Sequence, residues 1–238
     1  MINSKGETMK VLFSVFMLAQ LTFANVSIQK LTVNENNDPY FEISEIQVKE
    51  LPVLKGTHEA TYEKMDLKQI ALIIDGIIAI GKKIWPIIEA GKPVVDVNMA
   101  NGISVIPFKK GDDLDATFFD MENWSAPLAK RYNVTYKNGF GSKVISFDYT
   151  VMYQHSGSFE GAGKFLTGVN VVASNISVAW GFDFKASSEL VQISNHGSKE
   201  DKVAGATFRV NYTAETVFKT IQSSDTFHVM GDGQLTKY

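Results

Sequence analysis

Residues 66–90, DLKQIALIIDGIIAIGKKIWPIIEA, decide how this chain is built. Asp66 has the side chain of a helix N-cap. Behind it Leu67, Ile70, Ile74, Ile77, Ile84 and Ile88 recur at steps of three, four and seven, and Ile73, Ile80 and Ile87 add a second row beside them. Lys68, Asp75, Lys82, Lys83 and Glu89 gather on the remaining stripe, the layout of an amphipathic helix with a very wide apolar face. Pro86 should kink or weaken the last turn, and Gly91 with Pro93 behind it is a natural stop. The spacing therefore predicts one long helix over Asp66–Ala90, ~37 Å long at ~1.5 Å per residue.

Two roles suit such a helix. It packs on a sheet and braces the core, or it is an amphipathic element released onto a membrane, with Asp75, Lys82 and Lys83 facing water.

After Val94 the period changes from helical to two. Val94–Val97 and Gly102–Phe108 read as short strands, and Tyr132, Val134 and Tyr136 alternate with polar residues before an Asn138–Gly139 turn. Ile145, Phe147, Tyr149, Val151 and Tyr153 form the clearest strand. Phe159–Lys164 is a glycine-rich bend, and Phe165–Val172 resumes the sheet. Ile176, Val178, Trp180, Phe182 and Phe184 alternate again, as do Ala206, Phe208, Val210 and Tyr212, followed by Thr216–Ile221 and Thr226–Val229. Upstream, Tyr40–Lys49 reads as an edge strand. Eight or more strands with regular turn signals predict a mainly β fold, an antiparallel β-sandwich with one long N-terminal helix, formed as a single domain over 25–238.

Lys10, the uncharged apolar run Val11–Phe23 and the small residues of Thr22-Phe23-Ala24 have the form of a signal peptide cleaved after Ala24. The run is shorter than the ~20 residues that a membrane span needs. The chain has no cysteine, which with export fits a bacterial secreted or periplasmic protein. Asn-x-Ser/Thr sequons stand at Asn25, Asn123, Asn133, Asn175 and Asn211. A net charge of -3 lacks the basic footprint of a nucleic-acid binder.

Catalytic and ligand motifs are weak. His58, His155, His196 and His228 show no metal-ligand spacing and read as surface or turn residues, so neither metal nor cofactor is expected. The run Gly157–Lys164 has the wrong spacing for a phosphate loop, and Phe165 stands where a Ser or Thr is required. Asp112, Asp113, Asp115, Asp120 and Glu122 form a carboxylate-rich loop that reads as solvated rather than as a calcium site or a glycosidase pair. Phe118, Phe119 and Trp124 lie in that same loop, where they either cover one end of the sandwich or anchor at a membrane interface.

The layout is similar to that of actinoporin-type cytolysins, which also lack cysteine and place an amphipathic helix before a compact β-sandwich. The likeness is one of arrangement over about half of the chain. It brings no site residues with it, and here the helix follows about forty residues after the cleavage site instead of opening the mature chain.

The expected function is that of an exported, non-enzymatic β-sandwich protein that engages a lipid membrane, with pore formation by self-assembly as its fullest form. The residues expected to meet lipid are Ile70, Ile73, Ile74, Ile77, Ile84, Trp85, Ile88, Phe118, Phe119 and Trp124. The alternative is a cell-envelope binding or structural module that recognises a glycan or a protein partner.

Overall fold

The structure, a computed structural model, describes residues 25–52, 72–80, 84–89, 92–93, 102–111 and 113–238. These form fourteen strands and one short helix. In chain order the strands are β1 (Val26–Lys30), β2 (Ile43–Leu51), β3 (Leu72–Ile74), β4 (Ile77–Ile80), β5 (Ile84–Glu89), β6 (Lys92–Pro93) and β7 (Ile103–Pro107). After helix α1 (Leu114–Phe119) come β8 (Leu128–Asn138), β9 (Lys143–Phe159), β10 (Ala162–Val178), β11 (Asp183–Asn195), β12 (Ala204–Glu215), β13 (Thr220–Met230) and β14 (Leu235–Lys237). One sheet has eight strands in the order β1-β2-β8-β9-β10-β7-β4-β3, and the other has six in the order β14-β13-β12-β11-β5-β6. All pairings within both sheets are antiparallel.

The long helix expected over Asp66–Ala90 is not there. Residues 72–80 form a tight hairpin, with Ile74 opposite Ile77 across the turn Asp75-Gly76. Both turn residues have positive φ, 45° and 76°, which is the type I′ geometry that matches strand twist. Isoleucine is β-branched and stiff at χ1, so a run of it favours strand once a turn is available. Ile84, Trp85 and Ile88 fall on β5, which pairs with β11. The register shifts between Ala186 and Ser187, beside Pro86, which cannot donate to a ladder. The rest of the expected helix, Ile70 included, lies outside the described residues, as do the signal peptide and the strand expected at Val94–Val97. The helix was also the element shared with the actinoporin layout, so that likeness loses its basis.

The two sheets face each other across an aromatic core. Phe147 of one sheet meets Phe184 of the other at 4.8 Å between ring centroids, Tyr132 meets Phe227 at 5.3 Å, and Tyr136 meets Phe184 at 6.0 Å. The alternation in β8, β9, β11 and β13 sends these rings inward and leaves Asn133, Thr135, Ser146 and Asp148 on the outer face. There Asp148 accepts hydrogen bonds from Asn133, Asn175 and Arg131. Two sequon asparagines thus already spend their amides inside the fold.

Between the sheets, Asp225 gathers hydroxyls and an amine. Its Oδ2 accepts from Tyr149 at 2.7 Å and Tyr212 at 3.1 Å, and Oδ1 pairs with Lys237 at 2.8 Å. Lys237 Nζ also lies 4.8 Å from the Tyr132 ring centroid. This joins β9 of one sheet to β12, β13 and β14 of the other. Burial comes first, and the nearby Asp225 carboxylate adds to it, in holding the Tyr149 and Tyr212 hydroxyls well above the usual phenol range.

Candidate functional site

The antiparallel order brings three chain reversals to one end of the sandwich. They are β8 to β9 at 138–143, β10 to β11 at 178–183 and β12 to β13 at 215–220. Each carries a large apolar side chain into solvent. Trp180 is 81% exposed, Val217 72%, Phe140 68% and Phe218 45%.

Local chemistry fixes each tip. In the first, the buried Asn138 accepts from the backbone N–H of Phe140 at 3.1 Å and of Ser142 at 3.0 Å, so the turn is framed from inside and Phe140 points out. In the third, the Thr216 hydroxyl accepts from the N–H groups of Phe218 and Lys219, both at 3.2 Å, and Thr216 N–H donates to Lys219 O at 2.9 Å. In the second, Gly181 follows Trp180 at φ 79°, and a Cβ there would stand 2.6 Å from the Phe41 ring. Glycine supplies both the left-handed backbone and the room for that ring.

The segment 31–42 braces all three tips from behind. Pro39 O accepts from Gly139 N–H at 2.9 Å, and the Tyr40 hydroxyl donates to Trp180 O at 3.1 Å. Phe41 is central: its ring lies 4.9 Å from Tyr40, 6.1 Å from Phe182, 6.1 Å from Phe218 and 6.2 Å from Trp180. Beneath them the buried Glu42 pairs with Lys219 at 2.7 Å and accepts from the Asn37 amide. These two hydrogen bonds, that of Lys219 first, hold the Glu42 carboxyl below its ordinary range. The result is a stiff base carrying a set of projecting apolar tips.

The residues expected to meet lipid are scattered by comparison. Ile77 is fully buried on β4, while Ile73 and Ile74 are exposed on the edge strand β3. Ile84, Trp85 and Ile88 are distributed along β5. Phe118 and Phe119 sit on α1, 5.8 Å apart, with Phe119 exposed and Phe118 packed against the core, 6.5 Å from Trp124. Trp124 lies over Gly157, near the far end of β9, so this trio belongs to the end opposite Trp180. That end also holds a charged depression of ~420 Å³ lined in part by Lys109, Asp113, Asp120, Glu160 and Lys202. The structure brings Phe118, Phe119 and Trp124 together, and Phe118 and Trp124 pack on the core cluster that also holds the buried Ile77 of β4.

Sequence reasoning missed Phe140, Trp180, Val217 and Phe218. The alternation Ile176–Phe184 reads as one strand, yet it spans the end of β10, a turn and the start of β11. The signal that could have found the turn is Gly181 directly after Trp180. Thr216–Ile221 likewise reads as a strand, but Thr216–Lys219 is a turn closed by the threonine hydroxyl.

No family model, curated protein or solved structure gives a significant match to this chain.

Proposed function

We propose that this is an exported β-sandwich protein that docks on a lipid surface through the tips carrying Phe140, Trp180, Val217 and Phe218. The observation that carries the reading is the exposure of these side chains together on adjoining, braced turns at one end. Single exposed apolar residues are ordinary, but a group of them on a stiff base is the kind of surface that marks an interaction site. Tips, unlike a groove, suit a broad planar partner. An indole presents an apolar body with a polar N–H, and such rings favour the headgroup level of a bilayer. The signal-like N-terminus is consistent with delivery to an envelope or extracellular membrane. Among the described residues no helix is long and apolar enough to cross a membrane. The proposed contact is interfacial docking.

Vesicle flotation tests this. The protein should float with phosphatidylcholine/phosphatidylglycerol vesicles. The combined variant Phe140→Ser, Trp180→Ser and Val217→Ser should bind at least tenfold more weakly with its melting temperature kept. Removing three apolar anchors, each worth about 1.5 kcal/mol or more when fully buried, exceeds the ~1.4 kcal/mol of a tenfold change. Equal flotation of the two proteins, or none by either across neutral and anionic vesicles, contradicts the proposal. In the second case a glycan or protein partner becomes the better use of the same aromatic end.

A further inference from the structure

A second feature lies on the outer face of the six-stranded sheet, towards the end away from the aromatic tips. His228 on β13 stands opposite Thr207 on β12, and Ser194 on β11 stands opposite Gly205 on β12. His196 follows just beyond the end of β11. A Cβ at Gly205 would come within 2.6 Å of Ser194 Oγ and 2.8 Å of His196 Cδ2 and Nε2. The missing side chain is what lets the His196 ring lie across β12 and reach His228. The rings stand 4.9 Å apart at 72°, and their Nε2 atoms are 2.9 Å from each other.

This convergence is more than a pair of neutral imidazoles can satisfy. His196 Nε2 has Ser194 Oγ at 2.8 Å and His228 Nε2 at 2.9 Å, yet one ring nitrogen carries either one proton or one lone pair. Meanwhile the Thr207 hydroxyl lies 2.9 Å from His228 Nδ1. A threonine hydroxyl can donate to or accept from that nitrogen, and in the tautomer where it accepts the Nδ1 proton the His228 Nε2 lone pair faces His196 Nε2. A partner on the far ring nitrogen is the usual support of a metal-binding imidazole.

We propose that His196 and His228 form a two-point site for a divalent transition metal, with Cu²⁺ as the best fit. Both donors are Nε2 atoms. With metal–nitrogen distances of ~2.0–2.1 Å, two nitrogens in adjacent positions about 90° apart stand ~2.9 Å from each other, whereas tetrahedral ligands stand about 3.3 Å apart. The 2.9 Å observed fits two neighbouring corners of a tetragonal Cu²⁺ or Ni²⁺ ion. Imidazole suits these metals, and Cu²⁺ binds tightest in the series. Among the described residues no group of three or more His, Cys, Asp or Glu side chains has metal-holding spacing, so water supplies the remaining positions.

The test is Cu²⁺ titration of tag-free protein followed by electron paramagnetic resonance, in a His58→Ala, His155→Ala background that leaves only this pair. One equivalent of Cu²⁺ should bind with nitrogen hyperfine structure from two imidazoles. His196→Ala and His228→Ala should each weaken binding at least tenfold and reduce the pattern to one nitrogen. His196 is exposed, so His196→Ala keeps the fold and isolates the chemistry. Thr207→Val should weaken binding by a smaller factor while keeping both nitrogens. Absence of stoichiometric binding, or binding unchanged by both histidine substitutions, overturns the site. Vesicle docking is read at the other end of the molecule, so the two proposals fail separately.

Discussion

At the scale of single residues, two tryptophans show how differently one residue type is used. Trp124 lies flat over Gly157, where a Cβ would come within 2.3–2.6 Å of three ring atoms. Trp180 has no such cover. Gly157→Ala must push the Trp124 ring off its seat, and overpacking of this kind costs about 1–3 kcal/mol. It should lower the denaturation midpoint and shift tryptophan emission to the red. Trp180→Ala should leave stability within about 0.5 kcal/mol, because an exposed side chain away from caps and networks contributes little. A chemical denaturation series on both variants checks the contrast. In the sequence Trp180 stands directly before Gly181, whereas Trp124 lies in an acidic, aromatic stretch with no glycine close to it. Which one faces solvent depends on partners distant in the chain, Gly157 for one and Tyr40 and Phe41 for the other.

At the scale of elements, the isoleucine-rich stretch was misread because a dense apolar run satisfies two periods at once. Ile70, Ile73, Ile74 and Ile77 match helical steps, but Ile74 and Ile77 also flank Asp75-Gly76 as strand partners across a turn. Asp-Gly between β-branched residues was the deciding signal, and its backbone requirement outweighs the helical spacing. Gly76→Ala tests this. At φ 76° an alanine pays about 1 kcal/mol for the left-handed backbone, so the melting temperature should fall by about 2–4 °C. An unchanged melting temperature would mean that this hairpin adds nothing to the cooperative fold. Elsewhere the elements were legible. The strands expected at Gly102–Phe108, Tyr132–Tyr136, Ile145–Tyr153 and Ala206–Tyr212 correspond to β7, β8, β9 and β12; burial alternates cleanly in β12, while β7 is buried on both faces and reads as a short apolar run. Helix α1 was missed, since its six residues are too few to show a period.

At the scale of the molecule, the sandwich class was readable because eight or more alternating segments leave few other architectures. The pairing of ends was not, because it follows from strand order, and only that order puts three turns beside segment 31–42. The interior carries its own pH signature. Tyr132, Tyr136, Tyr149, Tyr153 and Tyr212 are all held above their ordinary range chiefly by burial, Tyr153 to about 12. In the unfolded chain they ionise near pH ~10. A raised folded value means that the unfolded state releases protons first. The stabilisation is therefore complete below about pH 10 and is lost as pH rises towards 12 and beyond. Absorbance at the phenolate band should rise for these tyrosines together with loss of circular dichroism. Their titration within a still-folded protein would contradict the buried network around Asp225.

The central claim is that the aromatic end meets lipid. The chain has no cysteine, so Phe140→Cys, Val217→Cys and Phe119→Cys each give one labelling site without further change. An environment-sensitive dye at positions 140 and 217 should brighten on adding vesicles and be quenched by lipids brominated near the headgroup. The same dye at position 119, at the other end, should do neither. Quenching at 119 with none at 140 and 217 would contradict the account.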